Sequence, residues 1–209
     1  MFHNLRMEQE HDIALRSRGR PREFDMDEAL DLAIDVFRQR GYTATSLAEL
    51  ADGMRLSRGS LYKAFKDKQS VFLAAFDRYV ADGARRLEAV STGPGQARAR
   101  VEAVLELYAG LSQGERGERG CLVIATAVEL SVVEPEIAQR VLASWRRIER
   151  VLLELLEQGE ADGSIRPVDD KAATVRALLC LTQGMRIVGK GQAGVAMKRV
   201  ARQALRLLD

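Results

Sequence analysis

The sequence predicts an all-α protein of about nine helices. Three observations carry that reading. Apolar residues recur at three- and four-residue intervals along nearly the whole chain. The strict alternation that marks a half-buried strand is nearly absent. There are only 4 prolines, and the 17 glycines gather largely between the periodic stretches.

Each element has its own signal. Residues 1–24 are polar, lack the apolar core of a signal peptide and read as a flexible arm. Asp25 is placed to cap a first helix over about 27–40, with Ala29, Ala33, Val36 and Phe37 on one face and Gly41 as its stop. Ser46-Leu47-Ala48-Glu49 is a capping box and opens a short second helix that ends near Met54. Ser57 caps a third helix through about Ala64, and Asp67 caps a long fourth one striped by Phe72, Phe76, Tyr79, Gly83 and Leu87. The clearest break is Ser91-Thr92-Gly93-Pro94-Gly95. Further helices are expected over 97–111, 121–132, 135–159, 169–188 and 193–208, with loops at 114–120, 159–168 and 189–191. Pro135 suits a first helical turn, where its missing N–H costs nothing. The domains expected are an arm (1–24), a small helical head (25–70) and a helical body (71–209).

Composition narrows the function. Of 209 residues, 46% are hydrophobic, enough for a real core, and 30% are charged. Net charge is only +2, yet Arg16, Arg18, Arg20 and Arg22 alternate in one short stretch, which points to nucleic acid. The 2 cysteines, Cys121 and Cys180, form neither a disulfide framework nor zinc spacing and fit a reducing compartment. No apolar run reaches the ~18–20 residues that span a bilayer, so a cytoplasmic location away from membranes is expected. Both histidines, His3 and His11, lie in the arm. No nucleophile–base pair, metal cluster or phosphate-cradling loop is visible, so neither an enzyme nor a cofactor is expected.

Two short helices joined by a three- to four-residue turn, behind a longer bracing helix, make a helix-turn-helix arrangement. Ala51 is small where the second and third helices should cross, and Leu50, Met54, Leu56 and Leu61 supply a mini-core. The third helix would then expose Ser57, Arg58, Gly59, Ser60, Tyr62 and Lys63 at the end that enters a major groove. Lys68 follows at the next helix start, where a cation and a helix N-terminus together favour phosphate.

Phe37…Gly41-Tyr42…Thr45-Ser46-Leu47…Glu49-Leu50-Ala51 and Leu56-Ser57-Arg58-Gly59-Ser60-Leu61-Tyr62…Phe65…Lys68 closely resemble the DNA-binding signature of the TetR (tetracycline repressor-like) family. The resemblance is dense over about residues 25–75; beyond that, only length and helical character match. It implies a three-helix DNA-binding head on a helical ligand-binding and dimerising body. Thr45, Tyr62 and Lys68 would hold phosphates, while Arg58, Ser60 and Lys63 would face base edges or the nearby backbone. Ser46, Ser57 and Gly59 belong to the same expected surface. Arg58 best suits guanine, because its fork matches O6 and N7. The alternative is that Arg58 and Lys63 merely solvate an exposed helix, and that Tyr62 is a core aromatic with a wet hydroxyl. One departure stands out. The family usually has glycine where this chain has Arg55, since the turn tends toward positive φ. In the arm, Arg18-Gly19-Arg20-Pro21 resembles an AT-hook core, with Arg20 and Arg22 as minor-groove candidates; a basic tail touching only phosphates is the alternative.

The body is more apolar. Residues 121–128 are apolar nearly all round, as in a buried helix, and the next helix carries Ile137, Val141, Trp145, Ile148, Leu152 and Leu155 on one stripe. The last two helices have wide apolar faces that suit a four-helix bundle with a symmetry mate, so a homodimer on a double-stranded, near-palindromic operator is expected. The resemblance implies a pocket for an unidentified small effector, apolar or aromatic, with Tyr108, Cys121, Ala125, Trp145 and Met185 as candidate lining; plain core packing is the alternative for each. Cys121, at a helix start, is either an activated thiol or an inert buried one, whereas Cys180 reads as core. Repression with release by the effector is the function this implies. The rival is a helix-turn-helix nucleoid or adaptor protein whose body binds a protein partner through an exposed apolar surface.

Overall fold

The computed structural model describes residues 25–191 and 196–209. The arm, with Arg20 and Arg22, lies outside the described residues. These hold ten α-helices and no strand: α1 (Met26–Arg40), α2 (Leu47–Gly53), α3 (Arg58–Ala64), α4 (Lys68–Ser91), α5 (Ala97–Leu111), α6 (Gly114–Glu118), α7 (Leu122–Glu129), α8 (Pro135–Ala161), α9 (Lys171–Gly191) and α10 (Met197–Ala204), which runs into a 3-10 turn (Leu205–Leu208).

The caps fall where the side chains allow. Asp25 accepts the Asp27 and Glu28 amides. Ser46 and Glu49 close the reciprocal box on α2, Ser57 accepts the Ser60 amide, and Asp67 and Ser70 box α4. Each satisfies donors that a helix start leaves without intrahelical partners. Pro135 opens α8.

Two apolar cores share α4. In the first, Phe37 meets Phe72 edge-on with ring centroids 5.1 Å apart, and Tyr42 leans on Phe72 at 5.0 Å. Leu50, Ala51, Met54 and Leu61 complete its head side, while Leu122, Val123, Ile137 and Val141 enter it from α7 and α8. Arg78 of α4 adds a two-pronged bond to Asp31 of α1, 2.7 and 2.8 Å long. The second core surrounds α5, where Val101, Val104 and Leu105 pack against Leu152, Leu156, Leu178 and α10. Trp145 packs against both.

Glycine misleads at three loops. Residues 114–120 hold the short helix α6. Helix α8 runs through Gly159, where a Cβ would come within 2.5 Å of the Ile165 side chain. Helix α9 runs through Gly189, whose Cβ would lie 2.1 Å from the Ser112 carbonyl oxygen. These two glycines permit close packing and do not end helices. Helix α7 is shorter than expected and one-sided: Val128 is 80% exposed.

The outer faces also depart from expectation. Cys180, expected in the core, is exposed. On α10, Met197, Ala201 and Ala204 are buried inward, while Lys198, Arg199 and Arg202 point out. Exposed apolar side chains lie on α8 (Leu142, Leu153), on α9 (Ile187 at 57%, Val188 at 45%) and at Leu207 in the final 3-10 turn.

Arg55 is the only described non-glycine residue with positive φ, at 57°. Its turn is closed by Leu56 N–H donating to the Ala51 carbonyl at 2.8 Å. A side chain in that region costs roughly 1 kcal/mol, so Arg55→Gly is expected to raise stability by up to about 1 kcal/mol, partly offset by unfolded-chain entropy. An unchanged or lower melting temperature would contradict the strain. Gly189→Ala is expected to destabilise by about 1–3 kcal/mol through overpacking, read as a fall in denaturation midpoint.

Candidate nucleic-acid interface

Helix α3 is held from beneath by one residue, the fully buried Leu61. Around it Ser57, Arg58, Gly59, Tyr62 and Lys63 are exposed, and Ser60 is half-buried. Tyr62 is 58% exposed, which removes the core-aromatic alternative. Residues 57–66 include Arg58, Lys63 and Lys66 and no carboxylate. The Ser57 hydroxyl holds the Ser60 amide and lies 2.9 Å from the Ser60 hydroxyl, so it caps the helix while remaining at the surface. A Cβ at Gly59 would meet nothing closer than 3.9 Å. Nothing inside the protein requires glycine there.

Three expected contact residues are engaged elsewhere. Thr45 is buried, and its hydroxyl donates to the Gly41 carbonyl at 2.6 Å. The Lys68 ammonium donates to the Tyr42 and Thr45 carbonyls, 3.0 Å each, and sits 4.3 Å from the centre of the Tyr42 ring. Thr45 thus closes the α1–α2 loop on itself and Lys68 ties that loop to α4; the loop carbonyls compete for the ammonium expected on phosphate. Ser46 stays exposed, but its hydroxyl bonds Glu49 in the capping box.

The head is joined to the body at both ends of α7. The Gly120 carbonyl, just before α7, accepts from Arg38 of α1 (Nε 3.1 Å, Nη2 2.6 Å) and from Arg186 Nη2 of α9 (2.9 Å). At the far end, the Glu129 carboxylate accepts the Tyr42 and Thr43 amides at 2.9 and 2.6 Å. Partial burial pushes the Glu129 carboxyl up, but the bonds from Thr43 and Tyr42 and the nearby Lys68 outweigh it, and the group lies below its ordinary value. Gly41, with φ 81°, is required here: a Cβ would come within 2.9 Å of a Glu129 oxygen. Neither join was visible in the sequence, because each spans more than 75 residues.

Beneath α4 lies a cavity of about 80 Å³ that opens to solvent at its mouth. Tyr79, Gly83 and Leu87 of α4 line it with Tyr108, Cys121, Trp145, Ile148 and Arg186. Of the expected lining, Tyr108, Cys121 and Trp145 are present. Ala125 does not border it, and Met185 packs into the body core while its neighbour Arg186 faces the space. Cys121 caps α7 and stands within hydrogen-bonding reach of Tyr79. Burial first, then the nearby thiol, pushes both Tyr79 and Tyr108 above the ordinary phenol value, so both keep their protons at neutral pH. No described helix is long and apolar enough to cross a membrane.

Known proteins share this arrangement. Residues 29–75 match the family model for bacterial regulatory proteins of the tetR family, and residues 97–205 match the tetracyclin repressor-like C-terminal domain. The HTH-type transcriptional repressor ComR of Escherichia coli K12 is 33% identical over 196 residues, 92% of each chain. YezE of Bacillus subtilis 168, an uncharacterized HTH-type transcriptional regulator, is 30% identical over 153 residues, 69% of this chain and 77% of that one. A cysteine mutant of the TetR family regulator CifR, complexed with 26-bp operator DNA, is 30% identical with a TM-score of 0.79, covering 90% of this chain and 98% of that one. The chain belongs to the TetR family of bacterial transcriptional regulators.

Proposed function

We propose that this protein represses transcription by reading a near-palindromic operator with α3 from each of two subunits, and that a small effector in the cavity beneath α4 releases it. The observation that carries the reading is the exposed α3 end on a fully packed frame. Arg58 is offered to a base edge, Lys63 and Tyr62 to bases or phosphates, and Ser57, Ser60 and Gly59 to close approach. Arg20 and Arg22 remain candidates for the adjacent minor groove. Thr45 and Lys68 serve this surface indirectly, by fixing the loop behind it.

One short recognition helix reads few base pairs, so specificity calls for a second half-site. The exposed apolar residues of α8 and α9 favour these helices as the dimer face, rather than the last two. A cavity bordered by α4 supports a small-molecule sensor over the adaptor reading. A guest there touches Cys121, next to the Gly120 carbonyl that holds Arg38, which provides a route to the head. The effector acts only if it prefers one of two arrangements of that route.

Selection of bound duplexes from random DNA with the full chain is expected to return an inverted repeat with half-sites about one helical turn apart, or a multiple of it; no enrichment would overturn the regulator reading. Gly59→Ala separates surface from scaffold. It is expected to stabilise the fold by up to about 1 kcal/mol while weakening operator binding, as measured by melting and by fluorescence anisotropy. Arg58→Ala in the same assay is expected to cost about 1–3 kcal/mol on the selected site and less on unrelated duplex. Ile187→Glu is expected to shift sedimentation at micromolar concentration from dimer to monomer; a monomeric wild type would overturn the paired arrangement.

A further inference from the structure

We infer that the cavity beneath α4 takes a small organic acid, with its anionic group paired to the Arg186 guanidinium and its apolar body against the aromatic wall. This rests on the effector reading above and names the chemical class of the guest.

Charge is the first ground. The lining includes Arg86, Arg147 and Arg186 and no aspartate or glutamate. Arg86 is already paired with Asp82. Arg186 is different: it is 3% exposed, its Nη2 donates to the Gly120 carbonyl, and its Nη1 is buried with no hydrogen-bond partner. Among the described residues no carboxylate pairs with it. An arginine cannot shed its proton to escape this burial. A buried guanidinium answered only by one carbonyl is costly, and a carboxylate meeting its fork would recover much of that cost.

The other polar groups point the same way. Trp145 borders the same space, and its Nε1, which can only donate, is also buried without a partner. Tyr79 and Tyr108 hold their protons and offer hydroxyl donors. With Ser144 and Gln183, which can donate or accept, these groups give a lining that holds several donors and no carboxylate, which suits oxygen anions. The same charge repels cationic guests. Leucines and rings around these donors leave room for an aliphatic or monocyclic aromatic body.

The test uses the full chain without DNA. Three matched pairs are titrated by calorimetry: benzoate and benzamide, phenylacetate and phenylacetamide, octanoate and octanamide. In at least one pair the acid is expected to bind at least about tenfold tighter than its amide. Arg186→Gln is expected to abolish that preference, and Arg186→Lys to retain part of it. No acid preference in any pair overturns the inference on wild-type protein alone, whatever the variants do. Acid preference that survives Arg186→Gln also overturns it, by placing the anion elsewhere. Binding of ligand-free protein to the selected duplex is measured separately, so failure of the regulator reading shows there and failure of the acid site shows here.

Discussion

The arrangement depends on α7 being fastened to the head at both ends. At its start the Gly120 carbonyl takes two guanidinium groups, and at its end the Glu129 carboxylate takes two backbone amides. Both are charge-assisted bonds, the stronger kind. Between these points α7 is 8 residues of regular helix. The far fastening needs ionised Glu129. Because its folded value is depressed, its contribution is fully present above the ordinary carboxylate range and fades as pH falls through the folded value. The loop it holds is also the loop that Thr45 and Lys68 secure, so one short segment carries the ties that orient α2 and α3.

Much of this fold could be read locally. Asp25, the Ser46–Glu49 box, Ser57 and Asp67 act on amides two or three residues away, so spacing alone located four helix starts. The strained Arg55 was legible for the same reason: the turn demands a conformation and the residue type is wrong for it. Glycine was not legible. Gly159 and Gly189 resemble helix terminators by composition, yet each makes room for a side chain or carbonyl distant in sequence. Periodicity also failed where the outward face of α9 is apolar, which made Cys180 look like core.

The reading surface was partly legible. The sequence pattern placed Arg58, Tyr62 and Lys63 outward, since Leu61 is the one strong apolar residue on that turn. It could not show that the Thr45 hydroxyl and the Lys68 ammonium would be claimed by carbonyls, because those acceptors belong to main chain and carry no residue signature. In the cavity the pattern favoured apolar residues, so Arg186 was passed over. Its partner, the Gly120 carbonyl, lies 66 residues away in sequence, which no single helix reveals.

Arg38 and Arg186 converge on one carbonyl oxygen. Traffic between them runs in both directions, since thermodynamic coupling has no preferred sense. A guest that drew Arg186 aside would alter the footing of α1, and DNA that steadied α1 would alter how firmly Arg186 grips the guest, by the same factor. On the effector reading proposed above, affinity measured on naked protein would therefore differ from affinity for protein already seated on a promoter.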